Sequence, residues 1–576
     1  MAFIVKKTIS GKEYYYLNEN KRVDGKIKTK SLAYLGKTKK EAEKKAKEFI
    51  ENMEKNKVEE KENKKNPEKI IVENEKEINK KFISPVIKLP EEKKDSNITI
   101  EEISNFCKAK GFVFRSSEIY GGISGFWDFG PLGVELFNNI KKEWWKFFVY
   151  EKENVVGIDA SIISHPRTWK ASGHIANFND VAVMNKKTKQ AMKIDKSEVE
   201  KFTKENPDWE VQGEFSLMFK TKVGALNAEE AYLRGETAQG MFLDFKLVQQ
   251  TSRMQLPFGI AQIGTCFRNE IAPRDFLFRS REFHIGEFEF FINPEEKKCD
   301  LLDEEHLNVE FNFLDEETQK ENKETLKKVK MKDILKKGKL EEWHAYWLAE
   351  MILWLKSVGL TEIKIREHTK EELSHYSSAT FDIDYEYPFG SKEIGGIANR
   401  GQYDLTQHQN ESKENMEIFD EKYGKKVLPK VIEPTLGIER IFLAILTKAY
   451  HYDKERENVV LKLPPKLAPI KAAIFPIVKK EEFEKICFDI LKDLKKEWNV
   501  FYDKSGSIGR RYSRNDEIGT PFCITIDEDS LKGKDVTIRD RDTKKQIRVK
   551  ISELKETLKK LISEEIKFEK AGKLVS

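Results

Sequence analysis

Two short stretches concentrate side chains that could grip an anionic ligand. The first is Phe267-Arg268-Asn269-Glu270, which passes through a loop and resumes at Phe278-Arg279-Ser280-Arg281-Glu282-Phe283. Residues two apart on a strand project to one face, so Arg268 and Glu270 can act on the same ligand. A planar guanidinium matches a pair of phosphate oxygens, and an aromatic ring nearby offers a flat surface to a base. The same spacing also suits an ion-pair ladder across a hairpin. The second stretch, Glu433-Pro434-Thr435-Leu436-Gly437-Ile438-Glu439-Arg440, leads into the apolar run IFLAIL. Glycine and threonine at a strand-to-helix joint let a ligand approach backbone amides at a helix N-terminus, with Arg440 in the first turn pointing back at it. An ordinary helix start with a charged cap has the same sequence.

The elements around these stretches follow from periodicity. FGIAQIGTCFRNEI and REFHIGEFEFFI alternate apolar and charged residues on either side of the loop APRDFLFRS, which predicts two antiparallel strands. ELFNNIKKEWWKFFV, residues 135–149, follows the turn GPLG with apolar groups at helical spacing, and EEWHAYWLAEMILWLKSVG predicts a second helix ended by Gly359. Their tryptophans fall on helical spacing and are expected in the core or an interface. Residues 296–340 are rich in lysine and glutamate, the profile of a surface insertion. After Pro464, Pro465 and Pro469 the pattern resets to AAIFPIV, a helix, NVFYD, an arginine-bearing loop, FCITID and a final helix, which marks a separate α/β domain.

The chain has 576 residues, long enough for three or four domains, with 39% hydrophobic and 35% charged residues. No apolar run approaches the ~18 residues of a membrane span, and the N-terminus lacks the apolar core of a secretory signal. Five scattered cysteines without a CxxC pair, and nine histidines without ligand spacing, argue against a disulfide framework and against zinc. A reducing cytoplasm is expected. The formal net charge is +5, yet residues 1–40 hold 11 Lys/Arg against 3 Asp/Glu, so the basic excess is N-terminal. It suits a partner with phosphates and equally a solvated surface. There FIVKKTI, EYYYLNE and KSLAYLG predict a small hairpin or meander with turns at Ser10-Gly11 and Asp24-Gly25, and from Lys37 to about Lys80 a charged helix fades into a linker.

Taken together the two stretches resemble motifs 2 and 3 of the class II aminoacyl-tRNA synthetases, and FWDFGPLGVELFNNIKKEWW resembles motif 1, the dimer-forming element, with Pro131 at its turn. Arg234-Gly235-Glu236-Thr237-Ala238-Gln239-Gly240, FRNEIAPR with its following REF, and Gly396 to Leu405, GIANRGQYDL, resemble the dimeric glycyl-tRNA synthetases. The resemblance covers about residues 100–565 in the family's order. It implies an α+β fold: a class II antiparallel sheet flanked by helices over 96–465 and an α/β anticodon-binding domain over 466–576; residues 1–95, a small basic extension with a charged linker, have no counterpart in that core.

The same resemblance implies an activity and its residues. ATP and glycine would form glycyl-adenylate with release of pyrophosphate, and the glycyl group would pass to the 3′ end of tRNA(Gly), in a cytoplasmic homodimer. Arg268 and Arg440 would be the catalytic arginines, at the α-phosphate with the substrate carboxylate and at the γ-phosphate respectively. Phe283 would stack on adenine, with Asn269, Glu270, Phe278, Arg279, Ser280, Arg281 and Glu282 along the nucleotide and Gly437, Ile438 and Glu439 beside Arg440. Glu393 would hold Mg2+ with Ile394 next to it. Glu236, Glu287 and Glu433 would surround the glycine ammonium. Phe283, His284, Ile285, Gly286, Arg400, Pro434, Thr435, Leu436 and Gly437 would line the rest of that pocket. Arg510, Arg511, Tyr512 and Arg514 would contact tRNA, because single-stranded RNA is read by stacking on aromatics and arginines.

Two positions depart from the family pattern. Thr435 stands where serine is usual, adding a methyl beside the substrate, and Lys193-Ile194-Asp195 replaces an arginine-bearing segment, which keeps the charge and loses the fork. His165, His174, His375, Tyr376 and His408 show nothing that demands acid-base chemistry. Two rivals follow from the same fold: a non-catalytic synthetase-like binding factor, and a class II enzyme for another amino acid. The retained Arg268, Glu270, Phe283, Glu393 and Arg440 weigh against the first, and the three pocket glutamates against the second.

Overall fold

A computed structural model describes residues 2–9, 12–23, 26–36, 38–39, 43, 45–47, 98–194, 199–226, 228–321, 325–373 and 377–575. The expected turns at Ser10-Gly11 and Asp24-Gly25, most of the charged segment after Lys37, Asp195 and the His375-Tyr376 pair lie outside these residues. The chain forms two compact units, Met1–Asp95 and Ser96–Ser576. In the first, β1 (Ala2–Ile9), β2 (Lys12–Val23) and β3 (Lys26–Gly36) pair as an antiparallel meander, one of the two arrangements the alternation predicts. Tyr15 of β2 and Ala46 are buried.

In the second unit a helix at Ile100–Lys110 and a short strand pair, Val113–Arg115 with Trp127–Phe129, lead into α1 (Pro131–Trp145), which starts four residues before the expected helix because Pro131 occupies N1, where its missing N–H costs nothing. Leu136, Phe137, Ile140 and Trp144 form its buried stripe. The sheet that follows has nine strands: β4 (Val155–Gly157), β5 (Phe258–Phe267), β6 (Glu282–Ile292), β7 (Glu310–Leu314), β8 (Lys327–Lys330), β9 (Ile363–Glu367), β10 (Ala379–Tyr387), β11 (Gly390–Gly401) and β12 (Lys430–Gly437). Their spatial order is β8-β7-β9-β10-β11-β12-β6-β5-β4. All neighbours are antiparallel except β7 with β9 and β5 with β4, so the expected antiparallel sheet holds through its centre and turns parallel near each edge. The charged segment 296–340 is not a surface appendage. It supplies β7 and β8 to the sheet edge and buries Phe311, Phe313, Met331 and Ile334, while its lysines and glutamates cover the outside.

Strand β6 explains why its sequence alternates glutamate with phenylalanine. Phe288 and Phe290 point to the face covered by α3 (Glu342–Ser357), where they meet Trp343 and Trp347 at centroid distances of 4.6–5.0 Å. Glu287, Glu289 and Phe291 point the other way, toward α2 (Ala238–Ser252), whose Phe245 packs on Phe291 at 4.4 Å. One strand thus supplies a dry core to one side and acids to the other. Strand β12 passes directly into α5 (Ile438–Ala449), and α4 (Tyr403–Ser412) follows β11.

The C-terminal part carries a six-stranded sheet in the order β14-β13-β15-β16-β17-β18, from β13 (Ala472–Pro476), β14 (Val500–Tyr502), β15 (Phe522–Ile526), β16 (Asp535–Asp540), β17 (Gln546–Lys550) and β18 (Lys573–Leu574). The first three are parallel, joined through α6 (Glu481–Leu494) and α7 (Ile508–Glu517), and the rest antiparallel. The hairpin β16–β17 escapes a reading for helices because Val536, Ile538, Ile547 and Val549 are buried on alternate positions between polar ones. α8 (Leu554–Ile562) closes the domain.

Candidate active site

The register of β6, β12 and β11 builds the site. Glu287 lies opposite Thr435 and Gly286 opposite Leu436, while Glu433 lies opposite Ala398 and Thr435 opposite Gly396. Gly395 is required there: a Cβ would come within 2.5 Å of the Thr435 carbonyl oxygen. Glu287, Glu289 and Glu433 are all buried, and one carboxylate oxygen from each lies within 4.8 Å of the others. Thr435 Oγ1 donates to Glu287 Oε1 at 2.9 Å, and Thr237 donates to the other Glu287 oxygen. Glu236, in the turn before α2, completes the set. Its Oε1 accepts from Gln239 Nε2 at 2.9 Å, and its Oε2 lies 3.1 Å from His174 Nε2.

Arg400 is the counter-ion of these acids. Its Nη1 donates to Glu433 at 2.7 Å, its Nε and Nη2 clasp Asp404 at 2.7 and 2.9 Å, and its guanidinium lies 5.5 Å from the centroid of the Phe242 ring. At 2% exposure it is as deeply buried as Glu287, and its guanidinium is occupied by these acids. The acids divide electrostatically. Burial pushes Glu289 and Glu433 well above the usual carboxylate range, and raises Glu287. Burial also opposes ionisation of Glu236, but His174 and then Arg400 outweigh it and hold that carboxyl far below its usual value. Glu289 is fully buried with both oxygens unpartnered. Such a pocket suits a small cation that brings its own hydrogen-bond donors, as a primary ammonium does.

The other half of the site is more open. Arg268 donates from Nε to the Gly235 carbonyl at 3.1 Å, and its guanidinium lies 5.3 Å from the Phe178 ring and 5.4 Å from Phe283. Arg279 grips Glu270 at 2.8 and 2.6 Å, while Arg281 donates to the Glu270 and Ser124 carbonyls. Arg440, in the first turn of α5 as expected, lies 4.7 Å from the Phe278 ring and pairs with Glu393 at 3.0 Å. Several expected contacts are turned away from the cleft. The side chains of Ile394, Ile438 and Leu436 are in the core, Pro434 shares the Leu436 face, and Ser280 is buried with its hydroxyl on the Leu277 carbonyl. Glu439 is buried and accepts from both the backbone N–H and Nδ1 of His284 at 2.7 Å, fixing the start of β6 to that of α5. Lys193 pairs with Asp180 at 2.8 Å in a separate three-stranded sheet formed by Asn179–Asn185, Ala191–Ile194 and Trp209–Ser216.

Glu289, Thr237, Gln239, Asp404 and His174 belong to the pocket and carry no role in the sequence reading. Glu289 is legible, being two residues after Glu287 on a strand. Gln239 and Asp404 join through 3.1 Å, a contact between α2 and α4 that spacing does not reveal. In the C-terminal domain Arg510 and Arg514 are exposed, Arg514 pairing with Asp503, whereas Arg511 is buried and Tyr512 half-buried. Arg511 donates to the Pro476 carbonyl at 2.6 Å, and the Tyr512 hydroxyl bonds Thr525 at 2.7 Å under the Arg539 guanidinium, so both are engaged within the domain.

Comparison with known proteins places this geometry. A family profile described as "tRNA synthetase class II core domain (G, H, P, S and T)" matches residues 219–449, and one described as "Anticodon binding domain" matches 471–561. The glycine–tRNA ligase of Geobacillus thermodenitrificans is 43% identical over 509 residues, covering 82% of this chain and 100% of that protein. That of Caldanaerobacter subterraneus subsp. tengcongensis is 42% identical over 82% of this chain and 99% of its own, and that of Borrelia hermsii 40% over 79% and 96%. Among solved structures, the prolyl-tRNA synthetase of Cryptosporidium parvum is similar in fold, with a TM-score of 0.50 at 16% identity over 81% of this chain and 77% of that one.

Proposed function

The chain belongs to the class II glycine–tRNA ligases, and from that premise we propose how its residues divide the work. The protein attaches glycine to tRNA, using ATP. In the first step a glycine carboxylate oxygen attacks the α-phosphorus of ATP in line with the leaving pyrophosphate. In the second the tRNA 3′-terminal hydroxyl attacks the glycyl carbonyl and AMP leaves. Two anions meet in the first step, so the site must supply aligned positive charge. Arg268 bridges the substrate carboxylate and the α-phosphate, Arg440 takes the γ-phosphate end, and Phe283 stacks on adenine. Glu236, Glu287 and Glu433 receive the ammonium, with Glu289 behind them and Arg400 fixing Glu433. Thr435, through its bond to Glu287, stands as the wall beyond Cα.

Arg279 and Arg281, together with Phe278, frame the nucleotide. Glu393 is exposed, and one carboxylate with phosphate oxygens and retained waters is the shell Mg2+ prefers, so Glu393 would hold it. When bound, the ion neutralises phosphate charge. Arg510 and Arg514 contact tRNA from α7. The enzyme works as a homodimer through the α1 region, in the cytoplasm, a setting that suits five buried free cysteines. Among the described residues no helix is long and apolar enough to cross a membrane.

The observation that carries this reading is the set of buried carboxylates beside an arginine held over two aromatic rings. Its test is exchange of labelled pyrophosphate into ATP, with glycine, alanine and serine in parallel. Exchange is expected with glycine alone and falls about 10³-fold or more in Arg268→Ala. A folded, ATP-binding protein that supports no exchange with any amino acid would be a binding factor instead.

A further inference from the structure

Glu236 is the pocket acid held most firmly ionised, and the group that holds it is His174. His174 opens a four-residue helix, His174–Asn177, and is 8% exposed. Its ring meets Trp169 and Phe178 edge-on at 5.1 and 5.3 Å. Nε2 lies 3.1 Å from Glu236 Oε2, and Nδ1 lies 2.8 Å from Ser172 Oγ. A hydroxyl can donate or accept. In the neutral ring Nε2–H donates to Glu236 and Nδ1 accepts from Ser172; in the charged ring both N–H groups donate, and Ser172 Oγ accepts. The imidazole can therefore gain or lose a proton without breaking either bond.

The charges around it are otherwise balanced. Arg400, 3.9 Å from the far oxygen of Glu236, is closed by Asp404 and Glu433. Glu287 is bonded to two threonine hydroxyls, and Glu289 lies behind it on β6. His408 meets Gln239 rather than an acid, and Arg268 lies beyond Phe178. Glu236 is left with one partner that can change its charge.

Resting on the reading of this pocket as the glycine site, we infer that His174 and the substrate ammonium compete electrostatically for Glu236, so that His174 is the positioning residue that sets the pH dependence of glycine binding. A charged imidazole repels the incoming ammonium and already satisfies the carboxylate; a neutral one keeps Glu236 in place and leaves its charge to the substrate. Imidazoles change charge between about pH 5 and 8.

The test is the KM for glycine in pyrophosphate exchange from pH 6.0 to 8.5, with the KM for ATP followed alongside. For the full-length protein the glycine KM should be roughly fivefold higher at pH 6.0 than at pH 8.5. In His174→Gln, whose amide can still donate to Glu236 but carries no charge, that ratio should fall below about twofold. A flat profile in the unsubstituted protein overturns the inference, which needs no variant to fold. So does a slope that survives in His174→Gln, or one that appears equally in the ATP KM. Absence of glycine-dependent exchange at every pH would instead refute the glycine reading of the pocket.

Discussion

The two halves of the proposed active site, one for glycine and one for the nucleotide, differ in burial. On the amino-acid side, Glu236, Glu287, Glu289, Glu433, Arg400 and Asp404 are all less than 10% exposed, and Arg400 is locked by two acids on three sides. On the proposed nucleotide side the arginines are half-buried and each has fewer partners: Arg440 pairs with the exposed Glu393, and Arg279 with the buried Glu270. Glycine offers only an ammonium, a carboxylate and two hydrogens, so its recognition must be ordered before it arrives. ATP brings several charges and a base, and can order flexible arginines as it binds. Preorganisation is concentrated where the ligand can contribute least.

Swapping one arginine from each half should break or sustain this contrast most clearly. Arg400→Met leaves Glu433 and Asp404 buried without their cation, and should lower folding stability by about 3–5 kcal/mol. Arg440→Met removes a partly exposed ion pair worth about 0–1 kcal/mol to stability, but should reduce kcat/KM for ATP about 10²-fold or more. Urea melts and exchange kinetics on both variants read the two effects separately. Equal loss of stability in both would show that the halves are not differently built.

What was legible in the sequence follows the same division. The strands β5 and β6 and the entry into α5 were readable because alternation and the Gly437-to-Arg440 joint are local signals. Glu287 and Glu289 announce a common face by their spacing alone. The Gln239 bridge to Asp404 was not readable because it joins two helices far apart in the chain, and the Arg400–Asp404 clasp, though only four residues long, straddles a strand end and a helix start where neither period applies. Arg511 and Tyr512 were expected on RNA because arginine and tyrosine are RNA-contacting types. In α7, however, Arg511 and Asn515 are four apart and both buried, so helical periodicity could have put Arg511 inside and left Arg510 and Arg514 out. The β7–β8 edge was hidden because its surface charges outnumber the few buried apolar positions that define it.

A finer contrast lies in the protonation of the buried acids. Glu289 has a folded pKa raised by burial, so the native state binds its proton more tightly than the unfolded chain does. Stability from this group is therefore full below about pH 4.3, the unfolded value, and falls as pH climbs toward the folded pKa, with a limiting slope of about 1.4 kcal/mol per pH unit. Glu289→Gln removes the proton exchange, so the variant should gain on the unsubstituted protein between pH 5 and pH 8 in urea midpoint. An unchanged difference at the two pH values would mean that Glu289 remains ionised in the folded pocket, and that the contrast between a proton-bearing Glu289 and an ionised Glu236 is wrong.

The smallest effect concerns the wall of the pocket. Thr435 is half-buried on β12 opposite Gly396, with Oγ1 on Glu287 Oε1 at 2.9 Å. Serine would keep the hydroxyl and delete only the methyl, so Thr435→Ser separates hydrogen bonding from shape. If the methyl tightens the wall against a substrate Cβ, glycine kcat/KM should stay within about twofold while alanine-dependent exchange rises roughly fivefold, the scale of about one methyl's discrimination. If the preference for glycine over alanine is unchanged, exclusion rests with the strand backbones instead. Gly395 and Gly396 on β11 then become the residues to alter, because a Cβ at Gly395 would press on the Thr435 carbonyl and move the strand that carries Glu433. Either result would say whether the buried half of the site discriminates by a side chain added to one strand or by the spacing of the strands themselves.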